Sequence, residues 1–189
     1  MKGTIFTTLG EMIEHEFGLE VWQMILDACP ISNGGGYSSG GMYPDEELFC
    51  LVGKLQKHLD IPLDILLRHF GTFLFQELIS SHKYMLQKHK TPKSFLMAVD
   101  KEIHQEIEKI YPKASFPFLN YIDESEDELS IIYKSPRKLC FLAEGIIQGV
   151  CEAYNTEIAL IHSTCMHRGD DQCRLDISFY NKCDIHHDE

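Results

Sequence analysis

The apolar residues of segment 93–111 recur at helical spacing, and then the pattern stops. Phe95, Val99, Ile103, Ile107 and Ile110 share one face of a helix that Pro112 ends. Beyond that proline the apolar residues gather in runs of strand length: 118–122, 129–135, 157–165 and 173–179. The acidic turn DESEDE at 123–128 joins the first two runs, and MHRGDDQ at 166–172 joins the last two. Helices first and sheet later predict an α+β fold, with a helical N-terminal part and a C-terminal part of antiparallel sheet plus helices. The 189 residues suit one domain. We expect it over residues 1–182, helical over about 1–90 and helix-plus-sheet over about 91–182, with a polar tail at 183–189.

Within the helical part, Met12, Val21, Trp22, Ile25 and Leu26 recur at helical spacing up to Pro30. NGGGYSSGG at 33–41 reads as a loop. A helix is predicted over 45–59, Pro62 opens another, and 77–90 is its continuation or a loop. Between the two strand pairs, a helix is predicted from Pro136 to about Tyr154.

Seventeen Lys and Arg against 29 Asp and Glu give a net charge of −12. That argues against nucleic-acid binding, which relies on cations facing phosphates, and against docking on an anionic membrane. No apolar stretch is long enough to span a bilayer. Glu11, Glu14, His15 and Glu16 interrupt any secretory signal core. An odd count of seven cysteines fits a cytoplasmic chain with reduced thiols.

Three constellations could carry chemistry. Tyr133, Ser135 and Arg137 alternate along an extended segment, so phenol, hydroxyl and guanidinium would form one line of donors suited to carboxylates. The plainer alternative is a helix start, with Ser135 as N-cap and Pro136 in the first turn. His104 sits at the edge of the apolar stripe, about 60° from Ile107, where an imidazole would be half buried. Cys140, His162, Cys165 and Cys173 follow the spacing C-x21-H-x2-C-x7-C. Three thiolates and an imidazole suit tetrahedral Zn²⁺, and a filled set of four would make the metal structural. Buried cysteines acting as small hydrophobes are the alternative there. Cys29, Cys50, Cys151 and Cys183 have no visible partner.

His104 on its helix, then Pro117, then Y-x-S-x-R at Tyr133, Ser135 and Arg137 resembles the haem nitric oxide/oxygen-binding (H-NOX) family, as does the opening MKGTIF. The resemblance runs along nearly the whole chain and points to the stand-alone bacterial type. It implies a b-type haem held between the two parts, with His104 as the proximal iron ligand and Tyr133, Ser135 and Arg137 on the propionates. It implies that Pro117 and Ile5 pack on the haem and distort it. It implies an apolar distal pocket of Leu74, Leu78, Leu142 and Ile146.

Oxygen-binding members of the family carry a distal tyrosine five residues beyond the motif arginine, where this chain has Leu142. Without that hydroxyl, NO and CO are the expected ligands and O₂ is weak. The cysteine–histidine set has counterparts in a bacterial subset of the family, which implies zinc far from the haem. The resemblance also implies a sensor, not an enzyme, that signals to a separate protein such as a histidine kinase or a cyclic-di-GMP enzyme. Competing readings are a zinc/thiol redox sensor, a zinc enzyme, and an oxygen-binding haem protein.

Overall fold

The computed structural model describes residues 1–31, 33–80, 82–112 and 114–180. The tail expected at 183–189, with Cys183, lies outside them. Helices α1 (Gly3–Phe17) and α2 (Leu19–Asp27) replace the single apolar run read toward Pro30. Gly18 parts them at φ 92°, a backbone angle that side-chain-bearing residues rarely adopt. Helix α3 (Asp45–Leu59) has the predicted bounds. Its first turn carries Asp45, Glu46 and Glu47 and its last turn Lys57 and His58, which complements the helix dipole. Helix α4 (Leu63–Ser80) follows Pro62, and the short α5 (Tyr84–Lys88) completes the segment read as continuation or loop.

The helix predicted over 93–111 is present but wound unevenly. It starts as α6 (Pro92–Ala98), closed by a reciprocal Thr91–Ser94 capping box. It then widens into a π turn over Val99–His104 and returns to α winding as α7 (Gln105–Ile110). The wider turn advances less rotation per residue, so the stripe drawn for a regular helix drifts off its face. Ile110 accordingly stands 72% exposed rather than in the core.

Strands β1 (Phe118–Ser125), β2 (Glu128–Lys134), β3 (Glu157–Thr164) and β4 (Cys173–Tyr180) form one antiparallel sheet in the order β1-β2-β4-β3. Helix α8 (Cys140–Ala153) lies between β2 and β3 in sequence. It begins at Cys140, not at Pro136 as expected. Ser135–Lys138 instead forms a turn closed by Lys138 N–H donating to Ser135 O at 3.1 Å, and Lys138 sits at φ 50°. That left-handed residue cannot lie inside an α-helix.

Two main clusters make the core. Phe6, Leu9, Met12, Leu51, Leu55 and Phe70 fill the helical part, while Phe75, Phe95 and Val150 pack with Leu129, Ile131, Leu175 and Ile177 of the sheet. Helices α4 and α8 join the two. Their backbones touch: a Cβ on Gly71 would stand 2.3 Å from the Leu142 carbonyl oxygen, and one on Gly145 1.9 Å from that of Arg68. Thr72 Oγ1 bridges the same crossing, donating to Gly145 O at 3.1 Å.

Cys29 and Cys50, left without partners by the sequence reading, are joined by a disulfide that ties the end of α2 to α3. The expectation of reduced thiols throughout is corrected for this pair. Among the described residues, no helix is long and apolar enough to cross a membrane.

The α4–α8 crossing sets a stability test. Gly145→Ala should cost about 3 kcal/mol, because two backbones must part to admit one methyl group. Gly53→Ala, in mid-α3 with open space around its Cβ position, should instead gain about 0.5–1 kcal/mol. Urea unfolding of the two variants checks both signs.

Candidate functional site

A cavity of about 290 Å³ opens between the helical part and the sheet-bearing part. Ile5 of α1, Leu74 and Leu78 of α4, and Leu142 and Ile146 of α8 line it with hydrocarbon. Val99, Ile103 and His104 reach it from the π turn, and Phe116, Pro117, Leu119 and Tyr121 from the entry to β1 and its first residues. All ten residues singled out as haem-pocket candidates line this one space.

His104 is the one imidazole in the lining. Its ring stacks on Phe116 at 4.4 Å between centroids and 18° between planes. Its Nδ1 is buried with no hydrogen-bond partner, and the Asp100 carboxylate stands 3.7 Å away. Burial holds the His104 pKa below the usual histidine range, against an opposing pull from Asp100. The ring is therefore neutral near pH 7, the form that can ligate a metal.

Tyr133, Ser135 and Arg137 give the cavity its polar edge, though not as the extended comb expected. The chain leaves β2 at Lys134 and turns, so Arg137 points away from a straight line. Tyr133 is buried, which raises its pKa to about 12, and its hydroxyl accepts from Leu139 N–H at 3.2 Å. Arg137 N–H donates to Ser135 Oγ at 3.3 Å. Its guanidinium donates from Nε to Asp45 Oδ2 at 2.5 Å and from Nη1 to Ser115 O at 2.6 Å. Asp45 also pairs with the Met1 ammonium at 2.8 Å. Hydrocarbon walls, one unpartnered imidazole and an edge of hydroxyl and guanidinium fit a flat apolar group that carries a metal at its centre and carboxylates at its rim.

A second constellation lies at the start of α8 and the ends of β3 and β4. The ligand atoms of Cys140, His162, Cys165 and Cys173 all lie within 4.8 Å of one another. The turn after β3 brings this about: Cys165 N–H donates to Asp170 Oδ2 at 2.7 Å, and Gly169 at φ 99° folds the chain back to Cys173. His162 Nε2 is buried with no hydrogen-bond partner. Burial and the neighbouring sulfurs push the Cys140 thiol pKa up, and burial raises that of Cys173. A dication would reverse this by stabilising thiolates. The orphaned imidazole nitrogen among three sulfurs fits a tetrahedral zinc ion. Cys151 belongs to neither constellation; it sits in the core, where burial raises its pKa to about 12.

Residues 2–162 match the profile of a protein family described as Haem-NO-binding. The chain belongs to this family. An H-NOX protein from S. oneidensis, solved in the Fe(II)NO ligation state, shares 35% identity at a TM-score of 0.89, covering 96% of this chain and all of that one. The H-NOX domain from Shewanella oneidensis in the Fe(II)CO state shares 34% identity at a TM-score of 0.86 over 96% of this chain and 100% of that one. Soluble guanylate cyclase gcy-35 of Caenorhabditis elegans is 22% identical over 166 residues, 85% of this chain. The chain spans 24% of that relative's length. H-NOX domains are haem-binding gas sensors and not catalytic units.

The H-NOX cavity contains residues that sequence reasoning missed. Tyr121 lines it with a hydroxyl that is buried and lacks a hydrogen bond, and burial lifts its pKa to about 12. The signal was present: residues 117, 119 and 121 alternate onto the face that holds Pro117. Asp45 was missed as well, because its contact with Arg137 spans 92 residues of sequence.

Asp45 makes stability depend on pH. Burial alone would raise its pKa, but Arg137 and the Met1 ammonium outweigh it and hold the carboxyl below the usual range. A lowered folded pKa stabilises above the unfolded value of about pH 4 and is lost as pH falls through the folded one. Asp45→Asn should therefore flatten the fall in stability below about pH 4, as measured by thermal melts across acidic buffers.

Proposed function

We propose that this chain is a nitric oxide sensor that holds a b-type haem in the cavity and passes its state to another signalling protein. When bound, the haem supplies a ferrous iron able to take NO or CO. His104 would hold the iron. Tyr133, Ser135 and Arg137 take the propionates, with Arg137 supplying a fixed cation at the rim. Ile5 and Pro117, which line the cavity, would pack against the haem. The observation that carries this reading is the His104 side chain, the one imidazole in the lining of an otherwise largely apolar cavity.

The choice of ligand rests on the distal residues Leu74, Leu78, Leu142 and Ile146. None can donate a hydrogen bond, so nothing on that side stabilises the charge that O₂ draws from ferrous iron. NO and CO need no such donor. The Fe(II)NO and Fe(II)CO states of the Shewanella oneidensis H-NOX structures support the same ligand class.

Signalling needs two states that a partner binds with different affinity. His104 ends the π turn immediately before α7, so a change at an iron held by His104 would reach both elements and the packing of the helical part on the sheet-bearing part. A histidine kinase or a cyclic-di-GMP enzyme is the proposed receiver. The net charge of −12 favours a partner with a basic patch. The cytoplasm is the proposed setting, with Cys140, Cys165 and Cys173 reduced to hold a structural zinc with His162; the Cys29–Cys50 disulfide runs against that setting.

The ferrous protein should show a Soret band that moves on adding NO or CO and stays put in air; a stable oxy complex would overturn the distal assignment. Leu142→Tyr should strengthen O₂ binding by about 1–3 kcal/mol, read by oxygen titration. The purified chain should carry one equivalent of zinc by elemental analysis, and Cys173→Ser should lose it and melt at lower temperature. A Cys173→Ser protein with full zinc and unchanged stability would refute the metal site.

A further inference from the structure

Glu144 is a buried carboxylate that the haem reading does not use. It projects from α8 one turn after Cys140, so both side chains share a face of the helix. It is 6% exposed, and each of its oxygens has a partner. Oε1 accepts from His162 Nδ1 at 2.5 Å, and Oε2 accepts from Arg68 Nε at 2.6 Å. Arg68 is itself held: Nη1 donates to Asp64 Oδ2 at 2.6 Å, and the guanidinium lies 5.0 Å from the centre of the Phe141 ring.

We infer that Glu144 is a positioning residue for the metal ion, fixing the His162 ring so that Nε2 faces the three cysteine sulfurs. The inference rests on the zinc reading above and assigns a role outside the four ligands. With Nδ1–H committed to Glu144, the free lone pair of the ring sits on Nε2. That nitrogen is the one buried without a hydrogen bond. A carboxylate behind a ligating histidine also raises the basicity of the imidazole and locks its orientation. Arg68 balances the carboxylate charge, which would otherwise add to three thiolates around one dication. The simpler alternative is a plain ion pair between α4 and α8, with His162 as a bystander. That alternative leaves the Oε1 contact without purpose and predicts no effect on metal affinity.

A double-mutant cycle separates the two. Zinc affinity is measured by chelator competition on the purified haem-loaded chain, with the Soret band and far-ultraviolet dichroism reporting the fold. Glu144→Ala should weaken zinc binding about 10–100-fold. On a His162→Ala background the same substitution should change affinity little, since there is no ring left to position. Glu144→Gln keeps an acceptor oxygen and should lose less, in the same direction; it also serves if Glu144→Ala does not fold. In the Co²⁺-loaded protein, Glu144→Ala should shift the visible d–d bands, which report ligand geometry.

Unchanged zinc affinity in both Glu144 variants would overturn the inference and leave the zinc reading standing. An equal loss with and without His162 would also overturn it, making Glu144 a structural ion pair. A wild-type chain that takes up no zinc in the competition would bring down the zinc reading itself, and the inference with it.

Discussion

The contact on which the rest of the molecule depends is the crossing of α4 and α8. Gly71 and Gly145 let the two backbones meet with no side chain between them. Both helices feed both main core clusters, α4 through Phe70 and Phe75 and α8 through Leu142 and Val150, so this crossing is where the helical part grips the sheet-bearing part. The same two helices supply Leu74, Leu78, Leu142 and Ile146 to the cavity. They also supply Arg68, Cys140 and Glu144 to the cysteine constellation. Close packing here fixes both places at once, because Cys140 and Glu144 lie on one side of α8 while Leu142 and Ile146, two residues on in each case, lie on the other.

The two places are built on opposite electrostatic principles. The cavity is largely hydrocarbon, and burial keeps its histidine neutral. The cysteine constellation concentrates thiols, a carboxylate and a guanidinium in a small volume, where burial raises the cost of every unbalanced charge. The first suits a neutral diatomic ligand, the second a cation that stays in place.

Much of this was legible in residues whose local chemistry has few alternatives. The helix over 45–59 follows from Leu48, Val52 and Leu55, which recur at helical spacing. The H-x2-C bite of His162 and Cys165 announced a ligand pair, and a tight turn implied the return to Cys173. Other features were hidden for physical reasons. A glycine inside a helical pattern is usually tolerated, so Gly18 did not announce a break. Val99, Ile103 and Ile107 satisfy α winding and π winding alike, so the π turn left no mark. Ser135-Pro136 is also a good helix start; only the left-handed Lys138 denies it. Cys29 and Cys50 are far apart in sequence, and their pairing depends on how α2 and α3 pack. Glu144 looked like one more charge on a helix, where most charges face water.

The π turn over Val99–His104 has a consequence for how a chain can store motion. A helix wound this way carries surplus length: taking up one residue into regular winding turns everything beyond it by about 100° around the axis. The surplus sits immediately before α7, so such a rewinding would sweep His104 away from the cavity while the hydrogen-bonded spine stayed largely intact. Small rotations at one bond and large rotations of a helix end are thus connected by a screw of fixed pitch, and His104, if tied to a group in the cavity, would be the pin that keeps the screw from turning.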